Sequence, residues 1–113
     1  IEMVADVARH PALRLVGLHV HVGSQITSAE PLARAAEAIV AFADTLRRRG
    51  VELEHLDLGG GLGIPYLPEQ TVLSPEAYAA ALLPAVRESG LLLLLEPGRW
   101  PVAPAGVLLT GPA

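Results

Sequence analysis

Three short apolar, β-rich runs alternate with two helix-length amphipathic stretches along this chain, and that alternation is its tightest constraint on fold. From Leu13 to Val22 the residues are mostly apolar on both parities and stop at Gly23-Ser24, the pattern of a strand covered on both faces. Val51 to Leu58 restores strand character before Gly59-Gly60-Gly61-Leu62-Gly63, and Leu91 to Leu95 is all leucine before Glu96-Pro97-Gly98-Arg99. Between the first two runs, Ser28 is placed to cap a helix entering through Glu30 and Pro31. Leu32, Ala35, Ala36, Ile39, Val40, Ala43 and Leu46 then share one face until Gly50. Ser74-Pro75 opens a second helix to about Ser89, bent or restarted at Pro84 and closed by Gly90. Ile1 to His10 reads as the tail of an earlier helix, and Val102 to Thr110 as one more strand after a proline-rich corner.

Strands joined through crossover helices pair in parallel, so the fold class is α/β. A complete (β/α)8 TIM barrel takes about 250 residues, and this chain supplies about two and a half βα units. Residues 1–113 therefore read as a partial barrel, an internal piece with edge strands and apolar faces uncovered; a small complete α/β domain is the alternative. Hydrophobic residues make up 51% of the chain, which excludes disorder. A net charge of −4, with Arg47-Arg48-Arg49 as the single basic cluster, argues against a nucleic-acid partner. Nothing approaches the roughly 20 apolar residues of a spanning helix, and cysteine is absent, so a soluble protein of the reducing cytoplasm is expected.

In parallel α/β folds, ligands gather where strands end at their carboxyl edge. His21-Val22-Gly23-Ser24, Gly59-Gly60-Gly61 and Glu96-Pro97-Gly98-Arg99 all fall there. The glycine run lets an anion approach backbone amides, but Ile64 occupies the sixth place of a dinucleotide fingerprint, and no lysine follows to make a P-loop. His19 and His21 are two apart in a strand, on one face, where they could share a metal or serve the interior. His10, His55 and Asp57 add no recognisable ligand spacing, so no metal is expected. His21, beside the Gly-Ser turn, is better placed to touch a ligand, and Ser24 offers a hydroxyl to a phosphate or to the turn. Glu96, at the end of a leucine strand, is expected in apolar surroundings with a cationic partner, either Arg99 or a protonated heteroaromatic nitrogen of a ligand. Asp57 is placed to orient the glycine loop.

Gly17-Leu18-His19-Val20-His21-Val22-Gly23-Ser24-Gln25, Leu56-Asp57-Leu58-Gly59-Gly60-Gly61-Leu62-Gly63-Ile64 and Glu96-Pro97-Gly98-Arg99 together resemble the alanine-racemase-like (fold type III) pyridoxal-phosphate decarboxylases, the diaminopimelate decarboxylases in particular. The resemblance covers nearly the whole chain. It implies pyridoxal 5'-phosphate as cofactor, with His21 stacked on its ring and Ser24 near its phosphate. It further implies that Gly59, Gly60 and Gly61 hold that phosphate and that Glu96 pairs with the pyridine nitrogen. Arg99 is implied to contact phosphate or a substrate carboxylate. The implied reaction converts meso-diaminopimelate to L-lysine and carbon dioxide in a homodimeric parent enzyme. An ornithine- or arginine-type enzyme of the same fold is the alternative; Gln25 and Gly63-Ile64-Pro65-Tyr66 lean toward the diaminopimelate branch.

The departures are equally specific. The family holds its cofactor through a lysine on an early barrel strand, and these 113 residues contain none, so the chain alone is expected to be inactive. The family's substrate-binding cysteine and tyrosine, from a carboxy-terminal β domain, are also missing. Trp100-Pro101 follows Arg99 where a small residue is common, which leaves that loop's geometry open. From other classes, a non-catalytic phosphate-binding α/β module and a metal-dependent barrel hydrolase using His19 and His21 are the competing readings.

Overall fold

A computed structural model describes residues 2–111. It contains α1 (Glu2–Arg9), β1 (Gly17–His19), α2 (Glu30–Arg47), β2 (His55–Asp57), α3 (Pro75–Ser89), β3 (Leu92–Leu94) and a 3-10 turn at Ala103–Ala105. The strands form one parallel sheet in chain order, with Gly17 opposite His55 and Leu92 opposite His55 on its other side. Sequential order with both crossover helices packed on the same face is the arrangement of a barrel wall; a doubly wound sheet reverses its order and uses both faces. The expected α/β partial barrel is therefore what forms. Ile1, included in the expected first helix, lies outside the described residues.

The core sits between the sheet and the two long helices. Leu32, Ala36, Ile39 and Ala43 of α2 meet Tyr78, Leu82 and Val86 of α3 over Leu56 and Leu58. Strand alternation decides the two faces: Leu18, Leu56 and Leu93 point into this core, while the residues on either side of each point away. Those others stack in layers on the opposite face, Gly17, His55 and Leu92 below His19, Asp57 and Leu94. In the lowest layer the His55 imidazole lies over Gly17, where a Cβ would stand 2.2 Å from it and turn the ring aside. Leu92 is 63% exposed on that face, so the five-leucine run is apolar without being buried.

Several local expectations are corrected. α2 begins at an uncapped Ala29, not at a Ser28 cap, because the backbone is already helical there and Ala33 N–H donates to the Ala29 carbonyl at 3.0 Å. Ser74 does cap α3, accepting from Ala77 N–H at 3.1 Å, and Gly90 closes it with φ 67°. α3 runs through Pro84 without restarting. The three strands are much shorter than the apolar runs that contain them. Val102 to Thr110 forms no strand over the described residues; Pro101 and Pro104 remove donors, and Val107 to Leu109 stand 88–89% exposed with no neighbouring strand to pair with.

One buried group is out of place in this core. The Tyr78 hydroxyl has no hydrogen-bond partner among the described residues, and burial pushes its phenol pKa up. Tyr78→Phe in the intact protein should therefore raise stability by about 1 kcal/mol in urea denaturation, since an unsatisfied hydroxyl is removed and its ring is kept. The pH dependence follows from the same shift. A phenol whose folded pKa lies above its unfolded value of about 10 contributes stability fully below that pH and loses it as pH rises through the folded value. The variant should lose this alkaline component, and an unchanged profile would show the hydroxyl to be solvated.

Candidate active site

The carboxyl ends of the three strands are stitched together beyond the regular ladder. Val20 N–H donates to the Asp57 carbonyl at 2.9 Å, Leu58 N–H to the Leu94 carbonyl at 3.1 Å and Glu96 N–H to the Gly59 carbonyl at 2.7 Å. Further out, Ile26 N–H reaches the Gly61 carbonyl at 2.8 Å and Gly63 N–H the Ile26 carbonyl at 3.0 Å. The loops after β1 and β2 therefore run side by side, and the three unusual segments meet at one edge as expected.

The glycines are dictated by how closely these backbones approach. A Cβ on Gly60 would lie 2.0 Å from the Glu96 carbonyl oxygen, and one on Gly61 would lie 2.1 Å from that of Gly23. A Cβ on Gly59 would lie 2.8 Å from His21 Nδ1, which accepts a long contact of 3.5 Å from Gly60 N–H. Gly59 and Gly61 also take positive φ values of 65° and 97°. Asp57 orients the loop, as expected, by accepting Gly59 N–H at 2.8 Å.

The charged residues are arranged differently from expectation. Glu96 is exposed on the uncovered face, not embedded among leucines, because β3 turns that parity away from the helices. Its neighbour is His19 and not Arg99: His19 Nε2 stands 3.6 Å from Glu96 Oε2. His19, Asp57 and Glu96 each bring one polar atom within 4.8 Å of the others, whereas His21 stays with the glycine loop. The two histidines thus serve different places: His19, the last residue of β1, faces Glu96, and His21, two residues on, lies against the glycine loop.

Arg99 points toward the loop after β1. Its guanidinium donates to Ser24 Oγ at 3.1 Å, Gln25 Oε1 at 3.0 Å and the Tyr66 hydroxyl at 2.5 Å, and lies 5.8 Å from the Tyr66 ring centroid. Ser24 thus meets Arg99. Gln25 and Tyr66 are the participants that residue-by-residue reading missed. Their only signal was the motif context, since neither amide nor phenol is chemically unusual by itself.

Against known sequences, residues 1–103 match the profile of the pyridoxal-dependent decarboxylases, pyridoxal binding domain. The chain belongs to this family. It is 44% identical over 110 residues to the diaminopimelate decarboxylase of Neisseria meningitidis serogroup A, covering 97% of this chain and 27% of that protein. Among solved structures, diaminopimelate decarboxylase from Helicobacter pylori complexed with L-lysine superposes with a TM-score of 0.81 at 32% identity, over 87% of this chain and 25% of that one. The M. jannaschii enzyme in co-complex with L-lysine gives 0.81 at 30% identity, over 87% and 24%. The chain thus spans about a quarter of the length of the relatives it matches.

Pyridoxal phosphate is the cofactor of this family, and the edge of the sheet suits it. A dianionic phosphate needs backbone amides that no side chain crowds, and Gly59–Gly61 carry none, although the Gly59 N–H is already held by Asp57 at 2.8 Å. A heteroaromatic ring needs a flat neighbour and an acid, and His21 and Glu96 flank that loop. No helix among the described residues is long and apolar enough to cross a membrane.

Proposed function

We propose that the protein carrying this chain is a pyridoxal-phosphate-dependent decarboxylase that converts meso-diaminopimelate to L-lysine and carbon dioxide. The observation that carries this reading is the side-chain-free cradle of Gly59–Gly61, pressed against His21 on one side and the Glu96 backbone on the other. In this reading the phosphate would sit on the Gly59–Gly61 loop, taking the Gly60 N–H from its long 3.5 Å contact with His21 while Asp57 keeps the Gly59 N–H, with Ser24 beside it and the His21 imidazole against the ring. Glu96 faces the ring nitrogen as an anion and keeps a proton there. When bound, the cofactor supplies a protonated ring that takes up the electron pair released as the carboxylate leaves. Arg99 binds a substrate carboxylate, a bidentate task suited to its planar fork. The amine that links the cofactor comes from a segment outside these residues. A cytoplasmic homodimer completes the proposal.

Support for diaminopimelate over ornithine or arginine comes from the names of the relatives and from Arg99, whose charge no carboxylate neutralises among the described residues. Such a free cation suits a substrate with a second carboxylate. The test is carbon dioxide release by the purified full-length holoenzyme. We expect kcat/KM for meso-diaminopimelate to exceed that for ornithine or arginine by at least about 100-fold. Equal or better use of ornithine would overturn the substrate assignment, and no turnover of any of the three would favour a non-catalytic phosphate-binding module.

A further inference from the structure

Among the described residues, Gln25 is the one non-glycine residue with a left-handed backbone, at φ 58°. L side chains rarely adopt that conformation, so something must hold it. The amide is engaged at both ends. Nε2 donates to the Ile64 carbonyl at 2.5 Å, while Oε1 accepts from Ile64 N–H at 3.3 Å and from Arg99 at 3.0 Å. One half-buried side chain therefore clamps the backbone at Ile64, just after the glycine loop, and presents an oxygen to the guanidinium.

We propose that Gln25 is a positioning residue that selects the ligand through Arg99. It aims the guanidinium without neutralising it, so that the preferred ligand carries a carboxylate for that guanidinium to bind. The inference rests on the function proposed above and assigns a residue to its selectivity. All the groups that hold Arg99 are neutral acceptors, Gln25, Ser24 and Tyr66. A carboxylate at position 25 would hold the arginine equally well but cancel its charge. It would also set an oxygen against the Ile64 carbonyl where the amide now donates. A neutral amide meets both demands. Without it, Arg99 keeps its charge but loses the acceptor that ties its direction to the glycine loop.

L-Lysine and cadaverine differ by one carboxylate, and their binding to the full-length holoenzyme can be followed by calorimetry. We expect wild type to prefer L-lysine, and Gln25→Ala to reduce that preference about tenfold, the effect of one well-placed charge-assisted contact. Cadaverine affinity and cofactor absorbance should stay unchanged. Gln25→Gly removes the same amide but suits the left-handed backbone, so an equal loss there assigns the effect to the amide and not to strain. It also serves as the test if the alanine variant fails to fold. Undiminished preference in the folded variants would overturn the inference, as would parallel loss of both ligands together with the cofactor. A wild-type enzyme with no preference for L-lysine would instead remove the carboxylate-bearing substrate class, and the role of Gln25 with it.

Discussion

Glu96→Gln in the full-length holoenzyme is expected to lower kcat by about 100-fold while the cofactor stays bound. Glutamine matches the shape of glutamate but carries no charge, so it cannot favour a proton on the ring nitrogen facing it. The backbone around position 96 is unaffected. Its N–H still donates to Gly59 at 2.7 Å, its carbonyl still accepts Gly98 N–H at 2.8 Å, and Gly60 still fits against it. The phosphate cradle should therefore persist, and cofactor absorbance should separate lost chemistry from lost binding. KM for meso-diaminopimelate should change much less than kcat, because Arg99 and its partners are untouched. Turnover near the wild-type rate would remove Glu96 from the ring-nitrogen role.

Gly60→Ala should have the larger structural effect, destabilising the intact protein by about 3 kcal/mol and releasing the cofactor. The added Cβ would stand 2.0 Å from the Glu96 carbonyl oxygen, with the Glu96 carbonyl carbon at 2.9 Å. Both obstacles are backbone, held in place by the contact between Gly59 and Glu96, so no side-chain rotation relieves the clash. Relief requires the loops after β2 and β3 to separate, which disperses the amides of the cradle. Urea denaturation and the cofactor content of the purified variant measure the two consequences. Gly98→Ala is the matched control, since a Cβ there meets nothing within 4 Å. If Gly60→Ala kept its stability and cofactor, the close approach of these loops would not be a requirement of the fold.

The elements that local chemistry specifies were legible in the residues. Ser74-Pro75 and Gly90 bracket α3 because a hydroxyl, a proline and a left-handed glycine each satisfy a helix end locally. The face of α2 was readable from Leu32, Ala36, Ile39 and Ala43, which recur at the helical period and do enter the core. Ser28 misled because a cap depends on where the backbone turns helical, and here that is already Ala29. Val102 to Thr110 misled for another reason. An apolar run becomes a strand only beside a partner, and neighbours are not written in the run itself.

At the site the division is sharper. By itself the sequence determined the α/β order, the glycine loop that admits an anion, and the presence of His21, Glu96 and Arg99 at strand ends. These follow from periodicity and residue chemistry, which act over a few positions. Only the tertiary structure decided which side chains meet. It paired Glu96 with His19 and left the carboxylate exposed, and it turned Arg99 toward Ser24, Gln25 and Tyr66 across 75, 74 and 33 positions of chain. The reason is physical: strand parity assigns a face to each residue, but sheet register and loop path decide which residue from another strand shares it.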